Sequence, residues 1–323
     1  MQKIVAVAAL TLAASSQAQT AAPPGPEQLV NALNGTFGAH AGKRASHAKG
    51  FCAVGEFVPA KAASDFANSA LFKQKNMPAV VRFSVGGGNP AASDKSRSVR
   101  GMSMRLNGGG ENYDLLLVSE PVFFAATPES FVAFLEARKP DPATGKPDPA
   151  RVAAYNAKFP DGTRQPAMLA AHAAPASYAT TPYFSNNAFQ FQGRKGGKVA
   201  ARIVFEPHVA TQYLDADSEK SLPDLFLQDE LTQRLGRGAV GYTMFAQLPA
   251  ADDPLTDPSV LWKGENKVEL GRLYIKSVAQ PEKCDDMVYM PVALPASITP
   301  TDDPILLSRA AAYAISKSRR SQK

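Results

Sequence analysis

Arg309, Tyr313 and Arg320 fall on one face of a helix predicted over 303–320, at offsets of four and eleven residues. Asp303 suits the N-cap of that helix and Pro304 its first position. An arginine one turn before a tyrosine favours the phenolate, because an adjacent positive charge stabilises the charged form. A phenolate is an iron ligand, and tyrosinate on haem iron is one of the known axial arrangements. The same pattern also fits a surface amphipathic helix with an ordinary tyrosine. Chemistry at this helix therefore needs support from elsewhere in the chain.

That support comes from Arg44-Ala45-Ser46-His47-Ala48-Lys49-Gly50 and Val81-Arg82-Phe83-Ser84. An imidazole can take a proton and return it near neutral pH, which is what cleavage of a peroxide bond requires. The two segments resemble the distal-histidine segment and the Arg-Phe-Ser strand of haem catalases. Ser96-Arg97-Ser98-Val99-Arg100-Gly101 and Pro121-Val122-Phe123-Phe124 follow in the family's order. On these motifs, from about Asn34 to Arg320, the chain resembles the catalase-related peroxidases, the short secreted branch of the haem catalase superfamily.

The resemblance implies a role for each matching residue. His47 becomes the distal acid/base, and Ser84 the hydroxyl that orients it. Tyr313 becomes the axial ligand of the haem iron, with Arg309 beside it. Arg44, Arg82 and Arg320 become the donors to the haem propionates, where a planar fork suits a carboxylate. Each could equally be a solvated surface arginine, and Arg319 competes with Arg320. Phe131, eight residues after Phe123, corresponds to a haem-packing aromatic, or packs in an ordinary core. The implied cofactor is haem b, one per chain and ferric at rest. His40, His172 and His208 match no motif and are assigned no role.

Departures from the long catalases bear on activity. Val118-Ser119-Glu120-Pro121 stands where they carry Asn-Asn-Thr-Pro, so the distal asparagine is missing. Gly86 replaces a channel valine, Ser98 a channel aspartate and Ser46 the valine beside the histidine. Wider access is expected, with a second peroxide held less well. The expectation is a peroxidase that reduces hydrogen peroxide or organic peroxides with an external organic electron donor, has weak or no catalase activity, and protects against peroxide stress. Two other classes fit the same residues. One is a haem-binding protein without turnover, which would have no use for an oriented His47. The other is an allene-oxide-type rearrangement of lipid hydroperoxides.

The elements that must position these residues are legible in outline. Residues 1–18 read as a cleaved signal peptide, with Lys3 as the positive region, an apolar run over 4–14 too short to span a membrane, and Ser16-Gln17-Ala18 before the cut. A periplasmic location follows. Residues 19–33 form a flexible lead-in, with a short helix possible over 27–33, and 34–323 a single domain, since His47 and Tyr313 lie near its two ends. Strands are predicted over 50–58, 79–85, 101–106, 114–118, 188–192, 199–206 and 268–277, and helices over 128–137, 149–158 and 222–235. Strands arriving in groups argue against a doubly wound sheet. The fold class expected is α+β, an antiparallel β-barrel core with surrounding helices, the haem-dependent catalase-like fold.

The hydrophobic content of 45% is enough for a substantial core. The net charge of +6 includes no block of like charges, so no nucleic-acid partner is expected. The expected partners are a small-molecule peroxide and an organic reductant, with no membrane span. The arm and C-terminal region that lock long catalases into tetramers have no counterpart, so a monomer or small homo-oligomer is expected. Cys52 and Cys284 could form one disulfide in an oxidising compartment.

Overall fold

Burial alternates along Val240–Gln247, one residue buried and the next partly open, which is the signature of a strand with one face on a core. That strand is one of eight closing a barrel in a computed structural model that describes residues 22–322. The signal peptide expected over 1–18 lies outside the described residues.

Ten strands are present among the described residues. They are β1 (Gly50–Pro59), β2 (Met77–Val85), β3 (Arg100–Gly108), β4 (Glu111–Val118), β5 (Tyr183–Phe184), β6 (Phe189–Gln192), β7 (Lys198–Pro207), β8 (Val240–Gln247), β9 (Lys267–Ala279) and β10 (Ile298–Pro300). The order β7–β5–β4–β3–β2–β1–β9–β8 returns to β7 through an antiparallel β7–β8 pairing, so the ring closes and exposes no edge. β6 pairs with β7 and β10 with β6 alongside the ring. The expected antiparallel barrel is therefore the observed fold.

Its core is built from cross-strand neighbours such as Phe83, Met102 and Leu117 on β2, β3 and β4, each 2% exposed or less. Burying one such side chain contributes roughly 1.5–3 kcal/mol. Gly101 and Gly86 flank this region and reappear at the site.

Eight α-helices surround the barrel among the described residues: α1 (Pro26–Phe37), α2 (Ala63–Phe66), α3 (Pro128–Arg138), α4 (Pro149–Lys158), α5 (Arg164–Ala170), α6 (Ala216–Ser221), α7 (Leu227–Leu235) and α8 (Pro304–Ser321). The lead-in expected over 19–33 gives way to α1 from Pro26 onward. Pro26 occupies its first turn, Leu29, Val30 and Ala32 are buried, and the helix packs against α3 and α8. The helix expected over 222–235 is shorter than predicted. Pro223 forces Leu222 into an extended conformation, which ends α6, and helical structure resumes only at Leu227. Among the described residues no helix is long and apolar enough to cross a membrane.

Cys52 on β1 and Cys284 are joined as a disulfide with Cα atoms 5.6 Å apart, closing 232 residues of sequence separation. Chain-entropy scaling assigns a loop of that length about 5 kcal/mol, with measured bridges more often at 2–4. The Cys52→Ser/Cys284→Ser protein is expected to lose roughly 3 kcal/mol or more of unfolding free energy in a urea titration. An unchanged midpoint and slope would remove the bridge from the account of stability.

Candidate active site

A cavity of about 680 Å³ opens beside the barrel, within the range of small-molecule and cofactor pockets. Most of its lining is apolar, with Leu29, Val30, Leu33 and Phe37 of α1 on one wall and Phe123, Phe124, Phe131 and Phe134 on another. His47, Ser46, Arg44 and Arg82 reach it from the first third of the chain. Arg309, Tyr313 and Arg320 reach it from α8. The residues picked from the two ends of the sequence thus line one space.

His47 sits in a loop between α1 and β1 with φ of 53°, the left-handed region that a histidine rarely occupies. The Arg82 guanidinium braces that backbone, Nη1 donating to His47 O at 3.0 Å and Nη2 to Ala48 O at 3.3 Å. Ala48 N donates to Gly87 O at 3.1 Å and completes the clamp. The His47 ring shares a hydrogen bond of 2.9 Å between Nδ1 and Ser84 Oγ. Only glycine at 101 permits this, because a Cβ there would stand 2.4 Å from Ser84 Oγ and 2.7 Å from His47 Nδ1. Burial, reinforced by the charges of Arg82, Arg309 and Arg44, pulls the imidazole down to about 4. The ring is therefore neutral at physiological pH and available as a proton acceptor.

Tyr313 OH accepts two hydrogen bonds from Arg309, from Nη2 at 2.8 Å and Nε at 3.2 Å. The face predicted from helical spacing is the one observed. Arg309 is itself held, its Nη1 donating to Asn187 Oδ1 at 2.7 Å, while Asn187 Nδ2 donates to Asp303 Oδ2 at 2.7 Å. Asp303 also caps α8 as expected, Oδ1 accepting from Ile305 N and Leu306 N. One carboxylate thus starts the helix and, through Asn187, aims the arginine that meets the phenol. Sequence reasoning found Asp303 only as a cap and missed Asn187, which is remote in sequence and lies in the turn after β5. Its neighbour Asn186 lines the cavity with φ of 56°, and its amide has no partner among the described residues.

Arg44, Arg82 and Arg320 converge on the segment 285–287. Arg44 Nη2 donates to the carbonyls of Cys284, Asp285 and Met287, and Arg320 Nη2 to those of Asp286 and Met287. Asp285 is their nearest carboxylate, 3.7 Å from Arg82 Nε and 3.8 Å from Arg44 Nη1, and it is itself nearly half exposed. Burial and the neighbouring Arg82 and Arg320 charges push Arg44 down to about 9, against the smaller opposing effect of Asp285. Burial likewise lowers Arg82 and Arg320. Nε of Arg82, Nε of Arg320 and the Tyr289 hydroxyl are buried without a partner among the described residues. Unbalanced positive charge with spare donors is a site suited to carboxylates.

Phe131 lines the cavity and packs against Phe124 at 5.2 Å and Phe123 at 6.2 Å between ring centroids. Phe131 is thus part of the cavity wall and of an aromatic cluster rather than of the buried core. His40, His172 and His208 do not line the cavity. Gly86 lines the cavity beside Val99, whose Cγ2 would stand 2.7 Å from a Cβ at that position. Val118 faces the cavity, and the Ser119 hydroxyl is turned to accept from Arg100 N at 3.0 Å.

The catalase family model matches residues 28–322. The chain belongs to the catalase family. Within that family it is 35% identical over 302 residues to a catalase-related peroxidase of Synechococcus elongatus, covering 92% of this chain and 89% of the relative. It is 32% identical over 299 residues to a catalase-related peroxidase of Mycolicibacterium paratuberculosis, covering 91% and 94%. Among solved structures it resembles a fungal catalase with a TM-score of 0.78 at 20% identity, covering 86% of this chain and 59% of that one. Catalase A from Saccharomyces cerevisiae gives a TM-score of 0.77 at 20% identity, covering 86% and 61%. The chain thus spans about three-fifths of the length of those two catalases and nearly all of the two peroxidases.

Proposed function

We propose that this chain is a haem-dependent peroxidase that reduces hydrogen peroxide or organic hydroperoxides at the expense of an external organic donor, releasing little oxygen. The observation that carries this reading is one cavity lined both by a neutral histidine tied to Ser84 and by a tyrosine tied to Arg309. The residues fit a haem: Tyr313 offers a phenolate oxygen to iron, Arg44, Arg82 and Arg320 offer cationic forks to two propionates, and the phenylalanine wall receives an apolar ring system. When bound, haem would supply the ferric centre on which the peroxide O–O bond breaks.

The chain's own residues handle the protons and the binding. With Nδ1–H directed at Ser84 Oγ, His47 presents a free Nε2 lone pair to an incoming peroxide. Nε2 takes the proton from the attacking oxygen and returns it to the departing one, which leaves as water or an alcohol. Arg309 holds the Tyr313 oxygen in place with two donated hydrogen bonds. Val118 faces the cavity and the Ser119 hydroxyl is turned to Arg100 N, so neither replaces the amide of the missing distal asparagine, which favours an external reductant over dismutation. A carrier would have no use for a histidine held in the left-handed region against a serine.

The test is partition of product. Haem-loaded protein supplied with hydrogen peroxide and a phenolic or dye donor is expected to consume donor faster than it evolves oxygen. Rapid oxygen release with no donor oxidation overturns the reading, and a rearranged lipid product without net donor consumption favours the allene-oxide-type alternative. Haem b as the cofactor, a monomer or small oligomer, and action in the periplasm belong to the same proposal. The Cys52–Cys284 bridge supports an oxidising compartment.

A further inference from the structure

Six cationic side chains line the cavity, namely Arg44, Arg82, Arg97, Arg309, Lys317 and Arg320, and no aspartate or glutamate does so among the described residues. Five of the six are engaged. Arg44, Arg82 and Arg320 turn to the 285–287 segment or the His47 backbone, Lys317 pairs with Asp286 at 3.3 Å, and Arg309 meets Tyr313 and Asn187. Arg97 differs from all of them. It is exposed, and its guanidinium makes one hydrogen bond, Nη1 donating to Ala170 O at 3.1 Å, with no carboxylate partner among the described residues. Arg100, three residues on, shows the contrast: it is wholly buried, with both terminal nitrogens bound by the carbonyls of Asp94, Ser96 and Ser98.

The surroundings of Arg97 give it direction. Pro166, Leu169 and Val99 line the cavity on the same side and present hydrocarbon. The segment from Arg97 runs to Gly101, which sits against the His47 ring. Four residues cover at most about 14 Å of extended chain. A guanidinium fork at the rim, with most of its donors free, therefore lies within one molecule's length of the proton acceptor across an apolar surface. The fork matches a carboxylate, and the surface matches an alkyl or alkenyl body.

We infer that Arg97 is a specificity residue that binds the carboxylate of an amphipathic organic hydroperoxide, placing the hydroperoxide group toward His47. This rests on the cavity being the peroxide site. The pinned Nη1 leaves Nη2 and Nε to form the salt bridge, so binding needs no rearrangement of the rim.

The test compares an acid with its ester. With haem-loaded protein, linoleic acid hydroperoxide is expected to show a lower KM than its methyl ester. In Arg97→Gln the KM for the acid should rise about tenfold or more relative to the ester, as expected for a lost charge-assisted hydrogen bond, without a matching fall in kcat. Arg97→Lys should restore part of the discrimination. Calorimetry with unreactive linoleic acid should show the same loss of affinity in Arg97→Gln, with methyl linoleate as the reference. Equal KM values for acid and ester in the unchanged protein overturn the inference, as does an equal loss for both in Arg97→Gln. A shift confined to sulfonated or carboxylated reductants also overturns it, because the fork would then serve the donor. If the protein turned over no peroxide, the functional reading would fail, while calorimetry would still decide whether Arg97 binds the carboxylate.

Discussion

His47→Asn is expected to slow reaction with peroxide by about 10²- to 10⁴-fold, the contribution of a positioned acid/base, with haem retained. Asparagine is the replacement of choice because position 47 has φ of 53°, which asparagine tolerates far better than alanine or glutamine does. The loss thereby reports the imidazole rather than the backbone. The pH dependence supplies a second readout. With the folded-state value near 4, the neutral base persists throughout the neutral range, and the rate of the unchanged protein should fall only as pH drops through about 4. Stability follows the opposite partner of the same equilibrium. The unfolded chain's imidazole binds its proton at about 6.5, so below that pH the unfolded state gains protons that folded His47 refuses. Folding stability should thus decline from about pH 6.5 toward 4, by up to ~3 kcal/mol from this group, and His47→Asn should escape that decline. Stopped-flow mixing with peroxide and acid-side denaturation curves check the two halves. A variant reacting at the original rate would remove His47 from the mechanism.

Tyr313→Phe is expected to have the other large effect. Removing the hydroxyl deletes the proposed metal ligand and leaves Arg309 facing a ring edge, with the two hydrogen bonds it now donates at 2.8 and 3.2 Å unmade. A buried donor stripped of a partner costs roughly 1–3 kcal/mol, and Arg309, only partly buried and still bound to Asn187, should cost less than that. Haem incorporation should drop sharply, and any residual pigment should lack the high-spin ferric spectrum of a phenolate-bound iron. Asn187→Ala offers a graded comparison, since it keeps the phenol and loosens the arginine and its link to Asp303. Absorption spectra and haem content of proteins expressed together in haem-replete cells decide the matter. A normal spectrum in Tyr313→Phe would move the ligand elsewhere.

The parts of the structure that could be read in the sequence are those carried by short-range pattern. Asp303-Pro304 marks a helix start wherever it occurs, and a spacing of four residues puts Arg309 under Tyr313 without knowledge of anything else. β1 to β4 and β7 announce themselves through β-branched and aromatic runs. β8 does not, because Gly238 and Gly241 interrupt its approach, although the barrel cannot close without it. β5 and β10 are two and three residues long and owe their form to the strands they pair with. α1 is legible only as the short helix over 27–33, and the apolar face that extends it to Phe37 has meaning only against α3 and α8. At the site, the motif residues His47, Arg44, Arg82, Arg309, Tyr313 and Arg320 line one cavity. The parts played by Asn187, Gly101 and the 285–287 carbonyls were not legible in the sequence, because what matters about them is proximity to residues far away in the chain.

The cavity is walled by α1 and α8, the first and last helices described, which also pack on each other. A nascent chain still on the ribosome has one wall and lacks the other. Capture of the proposed cofactor therefore has to wait for the last helix, and a chain clipped before Tyr313 forfeits the proposed iron ligand however well its barrel has formed.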